Sequence, residues 1–153
     1  MPVVGVISDT HGLVREAAIS ALAGSDLILH AGDIGTQAVI TALSKIAPVI
    51  AVRGNIDKGD WALKYPEYEA TQVEDVFFYI LHRIQDLDLD PVAAGFQVVV
   101  TGHSHKPDIQ NKEGVIYLNP GSAGPKRFTL PICLAKVDVE GNSAQAKLIY
   151  LDA

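Results

Sequence analysis

The hydrophobic positions of this chain come in short apolar runs, and most runs end on a polar residue beside a glycine. Val3-Val4-Gly5-Val6-Ile7 is the first, and it runs into Ser8-Asp9-Thr10-His11-Gly12. Its continuous apolar character predicts a strand covered on both faces. Val14, Ala18, Ala21 and Leu22 then recur at helical spacing and predict a helix over 13–23, stopped by Gly24-Ser25. Leu27-Ile28-Leu29-His30 reads as a second strand and opens onto Ala31-Gly32-Asp33. Val39, Leu43, Ile46 and Ala47 predict a second helix over 36–47, closed by Pro48. Val49-Ile50-Ala51-Val52 is a third strand, ending in Arg53-Gly54-Asn55. Three such units predict parallel strands with right-handed crossovers, whose carboxyl ends share one edge of a sheet.

From 56 to 66 the pattern lapses, and this stretch is expected to be an ordered loop anchored by Trp61 and Leu63. Two strands follow at 68–73 and 76–81, joined at Glu74-Asp75, a weak hairpin turn by composition; the second delivers His82. The alternating aspartates from Asp86 to Asp90 imitate a calcium loop, but Pro91 stands where Gly is needed and Gln97 where Glu is needed. Asp90 is better read as the N-cap of a short helix, with Pro91 first and Ala94 last. A strand over 96–101 opens onto Gly102-His103-Ser104-His105. After Pro107, strands at 115–118, 132–139 and 144–151 are separated by turn-forming clusters, so this half is expected to be largely antiparallel.

Composition narrows the partners. At 153 residues the chain is expected to form one domain, residues 1–153. Its 48% hydrophobic content suits a sheet buried on both faces, or a further surface buried in a homo-oligomer. A net charge of -6 argues against wrapping long nucleic acid, which needs a broad basic face. No apolar run approaches the roughly 20 residues of a membrane span. The first strand begins at residue 2 or 3 and leaves no room for a signal peptide, so a cytoplasmic protein is expected. Cys133 is the only cysteine, which excludes an intrachain disulfide and a thiolate cluster. Any metal must be held by nitrogen and oxygen.

Asp9, His11, Asp33, Asn55, His82, His103 and His105 all stand at the ends of expected strands. Mixed imidazole, carboxylate and amide donors suit manganese, iron, zinc or nickel and do not by themselves choose among them; manganese is the expected cofactor. Seven such donors are too many for one ion and divide between two. Two ions roughly 3.5 to 4 Å apart clamp a phosphoryl group for in-line attack. Two divalent charges, less Asp9, Asp33 and a hydroxide, leave about one positive charge, so an acidic protein can bind a small phosphate ester here. Arg53, Lys126 and Arg127 are candidates for the phosphate oxygens, with Arg127 and Arg53 taken as substrate-binding. His30 is read as structural, behind the site, and Cys133 as core.

The series Asp9-Thr10-His11, Gly32-Asp33, Gly54-Asn55, His82 and Gly102-His103-Ser104-His105, followed by Asn119-Pro120-Gly121-Ser122, resembles the small bacterial and archaeal calcineurin-like metallophosphoesterases. By motif the resemblance runs from Val3 to Arg127. It implies an α/β fold, an αββα four-layer sandwich of two mixed sheets flanked by helices, with a dimetal site at one edge. Matched residue by residue, Asp9, His11 and His105 hold the first ion, Asn55, His82 and His103 the second, and Asp33 bridges them. Asp33, Asn55 and His103 are taken as the catalytic residues. The implied activity is hydrolysis of a small phosphodiester through a metal-bridging hydroxide. A non-catalytic binding or scaffold module on the same fold, or a phosphomonoesterase, are the alternatives. Two residues depart from the family pattern. Arg83 follows His82 where the family commonly has Gly, which puts a guanidinium where it can point at substrate. Ile56 follows Asn55 where larger phosphatases have a His able to protonate a leaving group, which suggests a diester with a good leaving group, or an acid supplied from elsewhere, and weakens a monoesterase reading.

Overall fold

In the computed structural model, which describes residues 1–151, the chain forms two five-stranded sheets packed face to face. Strands β1 (Val3–Ile7), β2 (Leu27–His30) and β3 (Val49–Ala51) run parallel in the first sheet. The hairpin of β9 (Cys133–Glu140) and β10 (Ser143–Tyr150) adds antiparallel beside β1, giving the order β10-β9-β1-β2-β3. The second sheet has the order β4 (Tyr68–Val73), β5 (Val76–Leu81), β6 (Val98–Val100), β8 (Val115–Asn119), β7 (Asp108–Lys112). There β5, β6 and β8 are parallel, while β4 and β7 pair antiparallel at the edges.

Period-two alternation sorts the apolar side chains into layers. Val4 and Val6 of β1, Phe78 and Ile80 of β5, Val98 and Val100 of β6, and Val137 of β9 form the core between the sheets. The opposite faces of the first sheet, Ile7, Ile28 and Leu134, pack on α1 (Glu16–Leu22) and α2 (Gln37–Ser44) through Ala18, Leu22, Val39 and Leu43. Tyr79, Leu81 and Val99 on the outer face of the second sheet meet Leu87, Leu89 and Phe96. The two-sheet α/β sandwich is therefore as expected, with a thin fourth layer: a 3-10 turn at Ile84–Asp86 and the four-residue helix α3 (Pro91–Ala94). Asp90 caps α3 by accepting from Val92 N at 3.1 Å, and Gly95 ends it in a left-handed conformation, as its sequence predicts. Among the described residues no helix is long and apolar enough to cross a membrane.

Several expectations change. Leu63 does not anchor the 56–66 segment; it is 72% exposed, on the outer side of a 3-10 turn, while Trp61 packs inward. Helix α1 starts at Glu16, not residue 13, and α2 ends at Ser44, not residue 47. Strand β6 covers only Val98–Val100 of the expected 96–101 run. Glu74-Asp75 makes a tight turn despite its composition, with Glu74 at φ 49°. Its carboxylate accepts from Gly141 N, and Asp75 N donates to Gly141 O at 2.9 Å, so the turn is held by the hairpin of the other sheet. Strand β7 was not expected: all five of its residues are exposed, so it carries no burial pattern to read.

Candidate metal centre

The carboxyl ends of the parallel strands of both sheets meet at one edge. Asp9 and His11 follow β1, Asp33 follows β2, Asn55 follows β3, His82 follows β5, and His103 and His105 follow β6. After β1 and β2 the chain does not part at once: Asp9 N donates to Gly32 O (3.0 Å), His11 N to Asp33 O (3.0 Å) and Gly12 N to Ile34 O (2.8 Å). Strand periodicity is not what turns Asp9 and His11 to the same side. Asp9 (φ 56°), His11 (47°), Asp33 (55°), His103 (73°) and His105 (63°) are all left-handed. That conformation costs a non-glycine residue roughly 1–3 kcal/mol, and its concentration at these residues marks a site held against its own backbone preference.

The side chains form two groups whose donor atoms lie within one ion's reach of each other, Asp9-His11-His105 and Asp33-His82-His103. His105 Nε2 is 3.4 Å from Asp9 Oδ1, and His11 Nε2 is 3.9 Å from it. Asp33 Oδ2 lies between the groups, 3.3 Å from His82 Nε2 and 3.7 Å from His11 Nε2. The other oxygens are occupied. Asp9 Oδ2 accepts from Ser8 Oγ (2.7 Å) and His103 N (3.1 Å), and Asp33 Oδ1 accepts from Ile56 N (3.1 Å).

What remains is a set of buried atoms without hydrogen-bond partners among the described residues: Asp9 Oδ1, His11 Nε2, His82 Nε2 and His105 Nδ1. His82 shows why this fits a cation. Its Nδ1 lies 2.7 Å from Ala31 O, an acceptor only, so Nδ1 carries the proton and Nε2 is left with a lone pair. That lone pair faces a carboxylate oxygen at 3.3 Å inside the protein. Two buried acceptors face to face are stable only around a positive charge, a metal ion or a proton.

The electrostatics of the metal-free site follow from this. Burial works against the charged imidazole of His82, but the Asp33 carboxylate, with Asp9 behind it, outweighs burial and raises its pKa. Burial likewise opposes charge on Asp33, and it is outweighed by His82, the Ile56 amide and His11, which hold the carboxyl down at about 2. His103 is lowered by burial and then by the nearby positive charges of His82 and Arg83.

The reading of His30 as structural accords with its contacts. It is fully buried, accepts from Gly32 N on Nδ1 (3.1 Å) and therefore donates from Nε2 to Thr10 Oγ1 (3.0 Å), which donates on to Ile34 O (2.8 Å). Burial pushes its pKa down to about 4. Below the ordinary 6.5 the unfolded chain takes up a proton that the folded chain refuses, so this histidine lowers stability as pH falls. The loss is about 1.4 kcal/mol per pH unit, or about 3 kcal/mol by pH 4. His30→Gln removes that share of the slope, read from denaturant unfolding between pH 7 and 4.5 on metal-free protein; parallel curves for the two proteins would contradict it.

The profile of the calcineurin-like phosphoesterase superfamily domain matches residues 3–142. The chain belongs to that superfamily. It is 32% identical to a probable metallophosphoesterase of Methanothermobacter thermautotrophicus over 98% of this chain and 93% of the relative. It is 25% identical to a phosphodiesterase of Methanocaldococcus jannaschii over 77% of this chain and 82% of that protein. Among solved structures, vacuolar protein sorting 29 of Cryptosporidium parvum superposes with a TM-score of 0.79 at 20% identity, covering 99% and 98% of the two chains.

The candidate centre is fastened by residues to which the sequence assigned no ligand role. Asp57 is buried and accepts from three backbone amides, Ile34 N (3.0 Å), Gly35 N (2.9 Å) and Gly54 N (2.8 Å). It thereby joins the loop carrying Asp33 to the loop carrying Asn55. Asn119 donates to Gly102 O and Ser104 Oγ, both at 3.1 Å, and Ser122 Oγ donates to Asp9 O at 3.0 Å. The Asn119-to-Ser122 motif thus braces the two histidines of β6 and the first aspartate. Gly54 and Gly102 are needed for close approach: a Cβ on Gly54 would strike Asp33, and one on Gly102 would strike Ser8 and Asp9. The GN and GH spacings signalled these two glycines; nothing in the local sequence signals Asp57.

Asn55 is exposed and lines a cleft of about 340 Å³ that begins beside His82 and includes Arg53 and Arg83. Arg127 and Lys126 stand on an exposed segment, and among the described residues no hydrogen bond or ion pair links their side chains to the centre. Cys133 is fully buried.

Proposed function

We propose that this metallophosphoesterase is a dimetal phosphodiesterase of small substrates, acting in the cytoplasm as a single domain. Asp9, His11 and His105 would hold the first ion, Asn55, His82 and His103 the second, and Asp33 would serve both. The observation that carries this reading is the buried His82 lone pair set against the Asp33 carboxylate, with Asp9 Oδ1, His11 and His105 likewise unpartnered around it. Bound divalent ions, manganese first among the candidates, supply a water of lowered pKa and the positive charge that receives phosphoryl oxygens.

The chain's own residues supply the rest. Ala31 O fixes the His82 tautomer through Nδ1–H, as outer partners of metal-binding histidines do. Asp9 is aimed by Ser8 and the His103 amide, so that only one oxygen remains to bind. Ile56 offers no proton beside Asn55, which supports a diester whose leaving group departs without an acid. With manganese added, bis(p-nitrophenyl) phosphate is expected to be cleaved at least tenfold faster than p-nitrophenyl phosphate. The reverse preference would make the protein a phosphomonoesterase, and inertness toward both would favour the binding module.

A further inference from the structure

The cleft beside His82 is built for more than the scissile phosphate. It opens where the end of β3 faces the β4–β5 pair, so Arg53 lines it from one sheet and Tyr68 and Arg83 from the other. Arg53 is held in place by donating Nη1 to Tyr65 O at 2.9 Å, and among the described residues its other nitrogens make no hydrogen bond. Among the described residues, the buried Nε of Arg83 has no hydrogen-bond partner.

Each guanidinium has one carboxylate nearby, in a long ion pair without a hydrogen bond. Arg53 Nη2 is 3.7 Å from Glu67 Oε1 and Arg83 Nε is 3.7 Å from Asp86 Oδ2, with the carboxylates 66% and 64% exposed. Exposed pairs of this kind are worth about 0–1 kcal/mol, whereas a phosphate taken by two guanidinium forks forms several charge-assisted hydrogen bonds. An incoming phosphate therefore displaces the carboxylates. Tyr68 adds an apolar wall. It is 52% exposed, yet its ring stacks on Tyr79 at 6.4 Å and 19°, and Tyr79 in turn meets Phe96 at 5.0 Å. A ring so held presents a fixed surface for a planar group.

We infer that this cleft binds a second phosphate on one arm of the substrate, making the preferred diester a nucleotide ester that carries a further phosphate, with its base against Tyr68. The inference rests on the phosphodiesterase reading above and adds the substrate class. Arg53 and Arg83 are specificity residues in this scheme, and the second phosphate is bound, not cleaved.

The test compares thymidine 5′-(p-nitrophenyl phosphate) with the same ester bearing a 3′-phosphate, on manganese-loaded protein. The 3′-phosphorylated ester is expected to have a kcat/KM at least tenfold higher, mainly through KM. Arg83→Gln brings that ratio to about one, and Arg83→Lys restores part of it. Calorimetry with thymidine 3′,5′-bisphosphate and thymidine 5′-monophosphate gives a readout independent of turnover, with the bisphosphate expected at least tenfold tighter in wild type and equal to the monophosphate in Arg83→Gln. Arg53→Gln gives up the bond to Tyr65, so Arg83→Gln carries the test if that variant unfolds. Tighter bisphosphate binding that is lost in Arg83→Gln, with no hydrolysis of either ester, would support the cleft and overturn the phosphodiesterase reading. Hydrolysis of both esters at equal kcat/KM with equal binding of the two nucleotides would overturn the cleft and leave that reading standing.

Discussion

Asp33→Asn is expected to lower diester hydrolysis more than about 100-fold, because losing even the outer partner of a metal ligand costs 10–100-fold. The variant is close to isosteric. It keeps an acceptor for Ile56 N, so the loop after β2 has no reason to move. What it loses is the negative charge at Oδ2, which lies 3.3 Å from His82 and 3.7 Å from His11, nearer to both than Asp9 Oδ1, which is 3.9 Å from each. Bound metal is expected to fall from two equivalents toward one. A second readout needs no metal. With the largest favourable partner of its charged form gone, His82 should titrate lower than in wild type, which an NMR titration of the metal-free proteins detects. Activity within tenfold of wild type, or an unmoved His82, would contradict the bridging role.

The largest loss of stability at a single polar residue is expected at Asp57. Its carboxylate serves three amides of two different loops, and its side chain is almost wholly buried. Truncation to Ala leaves those donors without an acceptor at about 1–3 kcal/mol for each one that water cannot reach, so a loss of about 3–5 kcal/mol is expected. Asp57→Asn keeps one carbonyl oxygen and should lose less. Because the amide of Gly54 is one of the three, the damage reaches Asn55 before the rest of the fold. The second metal should therefore weaken in Asp57→Asn more than the first. Denaturant unfolding and metal titration of the two variants measure this, and an Ala variant within 1 kcal/mol of wild type would sink it.

The parallel strands and the site edge were legible because each buried parallel strand is a short apolar run that stops at a polar residue, with a glycine close by after β1, β2, β3 and β6. Asp9, Asp33, Asn55, His82 and His103 could be placed at strand ends on that basis alone. Strand β7 was not legible, since an edge strand exposed along its whole length has no alternation. Leu63 misled for the converse reason, as an apolar residue in a loop that happens to face outward. The left-handed backbone at Asp9, His11, Asp33, His103 and His105 is imposed by the packing of one loop on another and leaves no local mark. Asp57 was missed because two of its three partners lie 22 and 23 residues away. The cleft wall at Tyr68 depends on stacking against Tyr79 across a hairpin, which composition does not report.

The central claim is that two ions, held by the residues around Asp33, perform the hydrolysis. Stripped protein titrated with manganese, with bound metal and bis(p-nitrophenyl) phosphate cleavage measured on the same samples, tests it most directly. Activity should rise with occupancy of the second site and level off at two equivalents per chain. Full activity in stripped protein, or a plateau at one equivalent, would contradict the account.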